Sequence, residues 1–166
     1  MDLVDELGVI RQRDVSREEA ERFYDEELYL QVAIAVVFDG MGRVLAQKRS
    51  VQKTVDAGKI DHVCGVVSAG ETPAQTAERE TLEETGFMAV NFQPVTQGVN
   101  RYGRYKYLFV ASSLDFYSAQ PDPREVEWAR HIDEQELHAK RKTGEFQFVD
   151  EFFEDLSLSK KELGKR

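Results

Sequence analysis

The chain has 166 residues, 41% hydrophobic and 32% charged, a balance that suits one globular domain with a substantial core. A formal net charge of −9 provides no basic stripe for neutralising phosphates and so argues against a duplex nucleic acid partner. No apolar run reaches membrane-spanning length, and the opening MDLVDELG lacks both the basic start and the apolar stretch of a secretory signal. The single cysteine, Cys64, has no partner for an internal disulfide, so the expected setting is the reducing cytoplasm.

In chain order, residues 1–28 predict an extension: a short extended piece at Leu3 and Val4, a turn over 5–8, a second piece through Ile10, and a helix. The run Ser16-Arg17-Glu18-Glu19 is a capping box, placing that helix from Arg17 to about residue 24. Apolar residues are continuous over 32–38, the pattern of a strand buried on both faces. A turn at 39–42 returns the chain as a partner strand over 44–47. The Gly40-Met41-Gly42 sequence reads as that hairpin turn and not as a nucleotide loop, because no helix follows it. Residues 51–59 are polar and irregular, a surface loop, and 60–64 form a short strand.

The segment 65–87 reads GVVSAGETPAQTAERETLEETGF. Thr72 is the N-cap of a helix, Pro73 takes its first position, Gln75 closes a capping box, and Gly86 suits a left-handed C-terminal cap. Ala74, Ala77 and Thr81 make a stripe of small residues that lets the helix lie close to a sheet, with Glu80 and Glu84 at the rim of that stripe. Glu80, Glu83 and Glu84 are three or four residues apart or adjacent, so they project from one region of the helix. Like charges held this way repel unless a cation neutralises them, and Mg²⁺, with Mn²⁺ as substitute, is the usual partner of several hard oxygen ligands.

Beyond the helix, 90–95 and 105–111 predict two strands joined through 97–104. Pro121-Asp122-Pro123 breaks the chain, 125–132 predict a further strand, and a helix follows from Asp133 to about Arg141. Phe146, Phe148, Phe152, Phe153 and Leu156 predict a final amphipathic helix, and 159–166 a charged, frayed tail. No repeat or linker divides the chain, so 1–166 is expected to be one domain.

The segment 65–87 resembles the Nudix box, G-x5-E-x7-R-E-U-x-E-E-x-G-U, where U is bulky and aliphatic. Gly65, Glu71, Arg79, Glu80, Glu83, Glu84 and Gly86 fall on its fixed positions, while Thr81 and Phe87 depart from its two U positions. The resemblance implies an α/β (α+β) Nudix fold, a mixed β-sheet sandwiched between helices in an α/β/α arrangement. It implies that Glu80 and Glu84 ligate a metal, with Glu83 and the Gly65 carbonyl as further ligands. Arg79 would orient the carboxylates. Glu125, with Glu127 second, is the candidate for a downstream glutamate that binds a further metal or acts as base.

The implied reaction is cleavage of the diphosphate linkage in a nucleoside diphosphate derivative, by a monomer or homodimer. Lys48, Arg49, Lys53 and Lys59 flank the expected pocket, and Arg49 and Lys59 are the candidates for phosphate contact; solvated surface charge is an equal account of each. Tyr102, Tyr105 and Tyr107 have the spacing that an alternating strand produces anyway, so packing is the first account of them, and Tyr105 is the candidate for stacking on a base. Overall layout also resembles the isopentenyl diphosphate isomerase subgroup, whose cysteine matches Cys64. That family's metal-binding histidines are replaced here by Gln31 and Val66, so hydrolysis is the stronger expectation. A Nudix domain that binds a nucleotide without catalysis is a third reading. The histidines His62, His131 and His138 have no metal-ligand spacing.

Overall fold

The computed structural model describes residues 1–20, 27–117 and 121–165. These residues form a mixed sheet of nine strands: β1 (Leu3–Val4), β2 (Ile10–Gln12), β3 (Tyr29–Phe38), β4 (Val44–Arg49), β5 (Ile60–Asp61), β6 (Val63–Val66), β7 (Phe87–Val99), β8 (Arg104–Tyr117) and β9 (Val126–Ile132). The helices are α1 (Arg17–Ala20), α2 (Pro73–Thr85), α3 (Glu134–Thr143) and α4 (Phe152–Leu163).

The apolar run of β3 makes it the axis of the sheet. It pairs in parallel with β8, from Leu30 opposite Arg104 to Phe38 opposite Ser112. It pairs antiparallel with β6, where Ala33 lies opposite Gly65 and Ile34 opposite Cys64. Its far end turns into β4 through Asp39, whose carboxylate accepts the backbone N–H groups of Met41 and Arg43, with Gly42 at φ 79°. β4 in turn pairs antiparallel with β5 and β9.

Alternation along β3 divides the interior into two cores. Val36 packs with Ala46, Leu108, Leu137 of α3, and Phe152 and Leu156 of α4. Ala33, Ala35 and Val37 pack with Leu45, Val63 and Ala77 of α2. Helices therefore cover both faces, as the α/β/α expectation requires. A buried charge cluster ties the α4 face together: Lys106 Nζ on β8 donates to Glu151 at 2.7 Å and to Asp155 at 2.8 Å, at the start of α4.

Several elements differ from the sequence reading. The capping box at Ser16 is formed, with Ser16 N–H on Glu19 and Glu19 N–H on Ser16, but residues 21–24 of the expected helix lie outside the described residues. The expected single strand over 60–64 is two short strands broken at His62. β7 runs to 13 residues because register shifts between Phe87 and Ala89, Val90 and Gln93, and Pro94 and Thr96 absorb residues that would otherwise end it. Phe146 and Phe148 precede α4 in an extended segment, where Gln147 accepts the N–H of Ile60. The tail expected to fray is helical through Leu163, since Ser159 is fully buried and Leu158 and Leu163 pack on the core.

Candidate functional site

The site is built on α2, whose limits are set locally. Thr72 is extended (φ −82°, ψ 153°), its Oγ1 accepts Gln75 N–H at 3.3 Å, and its own N–H donates to Gln75 Oε1 at 2.9 Å. Pro73 then spends no orphan donor, and Gly86 at φ 75° ends the helix with its N–H on the Leu82 carbonyl. Replacing Thr72 by Ala removes the cap, and we expect a loss of about 1 kcal/mol in unfolding free energy, measured by urea denaturation. The departure of Thr81 from the box pattern also has a local explanation. It is fully buried, and its hydroxyl donates to the Ala77 carbonyl at 2.6 Å, so a polar side chain is tolerated in an apolar setting.

Arg79 is the hub of the acidic face. Its Nε and Nη2 grip Glu71 bidentately at 2.9 and 3.0 Å, while Nη1 donates to Glu80 at 2.8 Å and to Glu83 at 2.9 Å. This clamp, with the Thr76 hydroxyl, pulls the Glu71 carboxyl down to about 2, and the surrounding carboxylates raise the Arg79 guanidinium above its usual value. Glu80 is shifted upward, because burial outweighs the help from Arg79.

Glu84 lies deepest. Burial pushes its carboxyl up to about 8, against the hydrogen bond from Gln47, and the neighbouring Glu80 charge adds to the rise. Its Oε2 accepts Gln47 Nε2 at 2.9 Å and the Cys64 N–H at 3.2 Å. The residue as a whole is half-buried, while its carboxylate is the enclosed end.

Gly65 on β6 faces this helix. A Cβ there would stand 2.2 Å from Cγ and 2.3 Å from Cδ of Glu80, so only glycine admits the observed carboxylate position. Gly65→Ala must swing Glu80 away from Arg79, and we expect turnover to fall about 10–100-fold in steady-state assays, as when a group supporting a metal site is displaced. Because strand residues alternate, Cys64 points off the opposite face from Gly65. Burial raises its thiol well above the ordinary value, with Asp61 and Glu84 adding to the shift, which disfavours a nucleophilic thiolate.

The structure thus brings Gly65, Glu71, Arg79, Glu80, Glu83 and Glu84 together. The Glu125 carboxylate is paired with Lys53, and Glu127 pairs with Lys48 at 3.0 Å. Arg49 is bound to Asp61 at 3.2 Å and to the Val55 carbonyl, so it braces the 51–59 loop. Lys59 is engaged by Asp56 at 2.6 Å. Tyr105 is 3% exposed, accepts Gln97 Nε2 through its hydroxyl, and packs beneath Gly8, a place in the core rather than on an open wall. Gln31 is tied up structurally, donating to the Asp2 carbonyl and accepting the Tyr107 hydroxyl.

Two neighbours of Glu84 escaped the sequence reading. Gln47 contacts Glu84 directly, and Asp61, its cross-strand partner, sits close enough for its charge to raise both the Glu84 carboxyl and the Cys64 thiol. Asp61 itself is shifted up to about 6 by burial, against the pull of Arg49. The available signal was a polar residue at an inward position of an otherwise apolar strand.

Among the described residues, no three carboxylate, imidazole or thiol groups are arranged as a formed metal cage. Arg79 and Gln47 hold the carboxylates instead. The donor chemistry nevertheless fits a hard divalent cation. Three carboxylates, Glu71, Glu80 and Glu83, meet a single guanidinium, and the innermost, Glu84, is driven toward its protonated form by burial, with the Glu80 charge adding to the rise.

The site thus joins a glycine-bearing loop to an acidic helix, laid against a mixed sheet covered on both faces. A sequence model of the NUDIX domain matches residues 28–154, and the chain belongs to the Nudix hydrolase family. An uncharacterized Nudix hydrolase of Listeria monocytogenes is 30% identical over 130 residues, 76% of this chain and 76% of the relative. An uncharacterized Nudix hydrolase of Yersinia pestis is 38% identical over 94 residues, 55% of this chain; the chain spans about half (49%) of that relative's length. Among solved structures, a Nudix hydrolase from Nitrosomonas europaea superposes with a TM-score of 0.66 at 19% identity, over 83% of this chain and 91% of its own. A Deinococcus radiodurans protein gives 0.68 at 19% identity, over 95% and 97% of the two chains. At such identity the likeness is one of fold.

Proposed function

We propose that this protein hydrolyses the diphosphate linkage of a nucleoside diphosphate derivative with Mg²⁺, Mn²⁺ serving as substitute. Glu80, Glu84, Glu83 and the Gly65 carbonyl would hold the cation. The chief support is the gathering of Glu80 and Glu83 on Arg79 beside an enclosed Glu84, which has no salt-bridge partner among the described residues. When bound, such a cation supplies neutralising charge for phosphate oxygens and acidifies the attacking water.

The chain's own residues do the rest. Arg79 holds Glu71, Glu80 and Glu83 in register, so that their charges are presented together. Glu83 is the most open of them, its side chain 58% exposed and held by a single N–H, which suits it to take the proton from water. Arg49, steadied by Asp61, and Lys59 are the proposed phosphate contacts. Glu125 is given no proton-transfer step, because Lys53 engages its carboxylate. The setting proposed is the cytoplasm.

The test is a phosphate-release screen over nucleoside diphosphate derivatives with Mg²⁺, with Glu83→Gln and Glu84→Gln run in parallel. Turnover by the wild type and its loss in both variants is the expected result. Equal inertness of all three, with isomerisation of isopentenyl diphosphate, would overturn it in favour of Cys64 chemistry. Nucleotide binding without turnover would overturn it in favour of a binding domain.

A further inference from the structure

We propose that Gln47 is a positioning residue for Glu84, fixing which carboxylate oxygen is presented to the cation; this rests on the cation-binding reading above. Gln47 lies on β4 and is 1% exposed. Its amide nitrogen is forked, with Nε2 donating to Glu84 Oε2 at 2.9 Å and to the His62 carbonyl at 3.0 Å. Both amide protons are thereby used. The opposite orientation of the amide would set its oxygen against a carbonyl and a carboxylate, so the His62 carbonyl fixes which end faces Glu84.

The Cys64 N–H, at 3.2 Å, reaches the same Glu84 oxygen. Oε2 is thus occupied by two protein donors. Among the described residues no donor meets Oε1, which leaves that oxygen for the site. Gln47 itself gains nothing in packing from being polar, because its own Oε1 is buried without a partner among the described residues. An apolar side chain of similar size would avoid that orphaned acceptor, so the amide at this place is explained by what its nitrogen holds. The fork also spans the break between β5 and β6, joining β4, the strand that delivers Gly65, and α2.

The test uses Mn²⁺ alone as probe, with binding read from the electron paramagnetic resonance signal of the free ion. For Gln47→Leu, and for Gln47→Met should the branched side chain fail to fold, the Mn²⁺ dissociation constant is expected to rise about 10-fold. The Mg²⁺ concentration for half-activation should rise with it, while kcat at saturating Mg²⁺ largely recovers. In a Glu84→Ala background, the Gln47 substitution should add no further weakening. Unaltered Mn²⁺ affinity in either folded variant, or an equal loss with and without Glu84, overturns the assignment. A wild type that binds no Mn²⁺ overturns the cation reading beneath it, a different and separable failure.

Discussion

Glu84→Gln is expected to reduce hydrolysis on the order of 10³-fold, the scale of losing a group that stabilises transition-state charge, while making the metal-free protein more stable at pH 8. The two effects have one origin. Burial raises the Glu84 carboxyl from an ordinary 4.5 to about 8. An acid whose folded value is raised contributes stability that is fully present below about 4.5 and is lost as pH rises through about 8.

Wild-type protein in chelator should therefore lose unfolding free energy across that window. Glutamine does not titrate, keeps the shape, and leaves the decline out. Because the residue as a whole is only half-buried, the difference at pH 8 is expected to be about 2 kcal/mol, well short of the full linkage value. Saturating Mg²⁺ should reverse the order, raising the melting temperature of the wild type and leaving the variant where it was. Thermal melts at pH 5, 7 and 8.5, with and without Mg²⁺, read all of this. A variant that melts lower than wild type in chelator at pH 8.5 contradicts the assignment of strain to Glu84.

Lys106→Met carries the other large effect, on stability. Lys106 Nζ holds Glu151 and Asp155, whose side chains are 11% and 3% exposed. Glu151 keeps Arg101 as a second partner, so Asp155 is the group left stranded. Breaking a buried pair from one side costs about 3–5 kcal/mol. Burial already raises Asp155 to about 6, with Lys106 pulling the other way. Its contribution is fully present below its ordinary 3.8 and is lost as pH rises through about 6. Removing Lys106 raises that upper edge further, so the damage should be greater at pH 8 than at pH 5. Urea denaturation at both pH values checks it, and an equal loss at the two would point to packing and not charge.

What could be read from the chain, and what could not, divides by the range of the interactions. The limits of α2 were legible because Thr72, Gln75 and Gly86 act within the helix they bound. The clustering of Glu80, Glu83 and Glu84 followed from helical spacing, while the place of Arg79 beside them was implied by the box pattern. The bidentate grip of Arg79 on Glu71 was not read from the chain, because it joins a helix residue to a loop residue eight positions away. Gln47 was invisible because its partner lies 37 residues away, and only the arrangement of β4 beside β5 brings them together.

Charge misled at the C-terminus. Lysines and glutamates suggested a loose end, but Ser159 and Leu163 face the core and Lys160 reaches Glu134 of α3, so the helix persists. Phe146 and Phe148, two residues apart, belong to an extended stretch that the surrounding aromatics disguised as helix. Glu125 was chosen by order along the chain, and the side chain that meets it, Lys53, comes from a loop whose path no local pattern specifies.

Ala33, Ala35 and Ala77 are almost fully enclosed where α2 meets β3. Their methyl groups act as spacers, setting how far the acidic helix stands from the Gly65 strand. The alignment of a carboxylate site is thereby governed by residues with no functional group at all. A lineage that enlarged any one of them would detune the chemistry by thickness alone, with every charged side chain still in place.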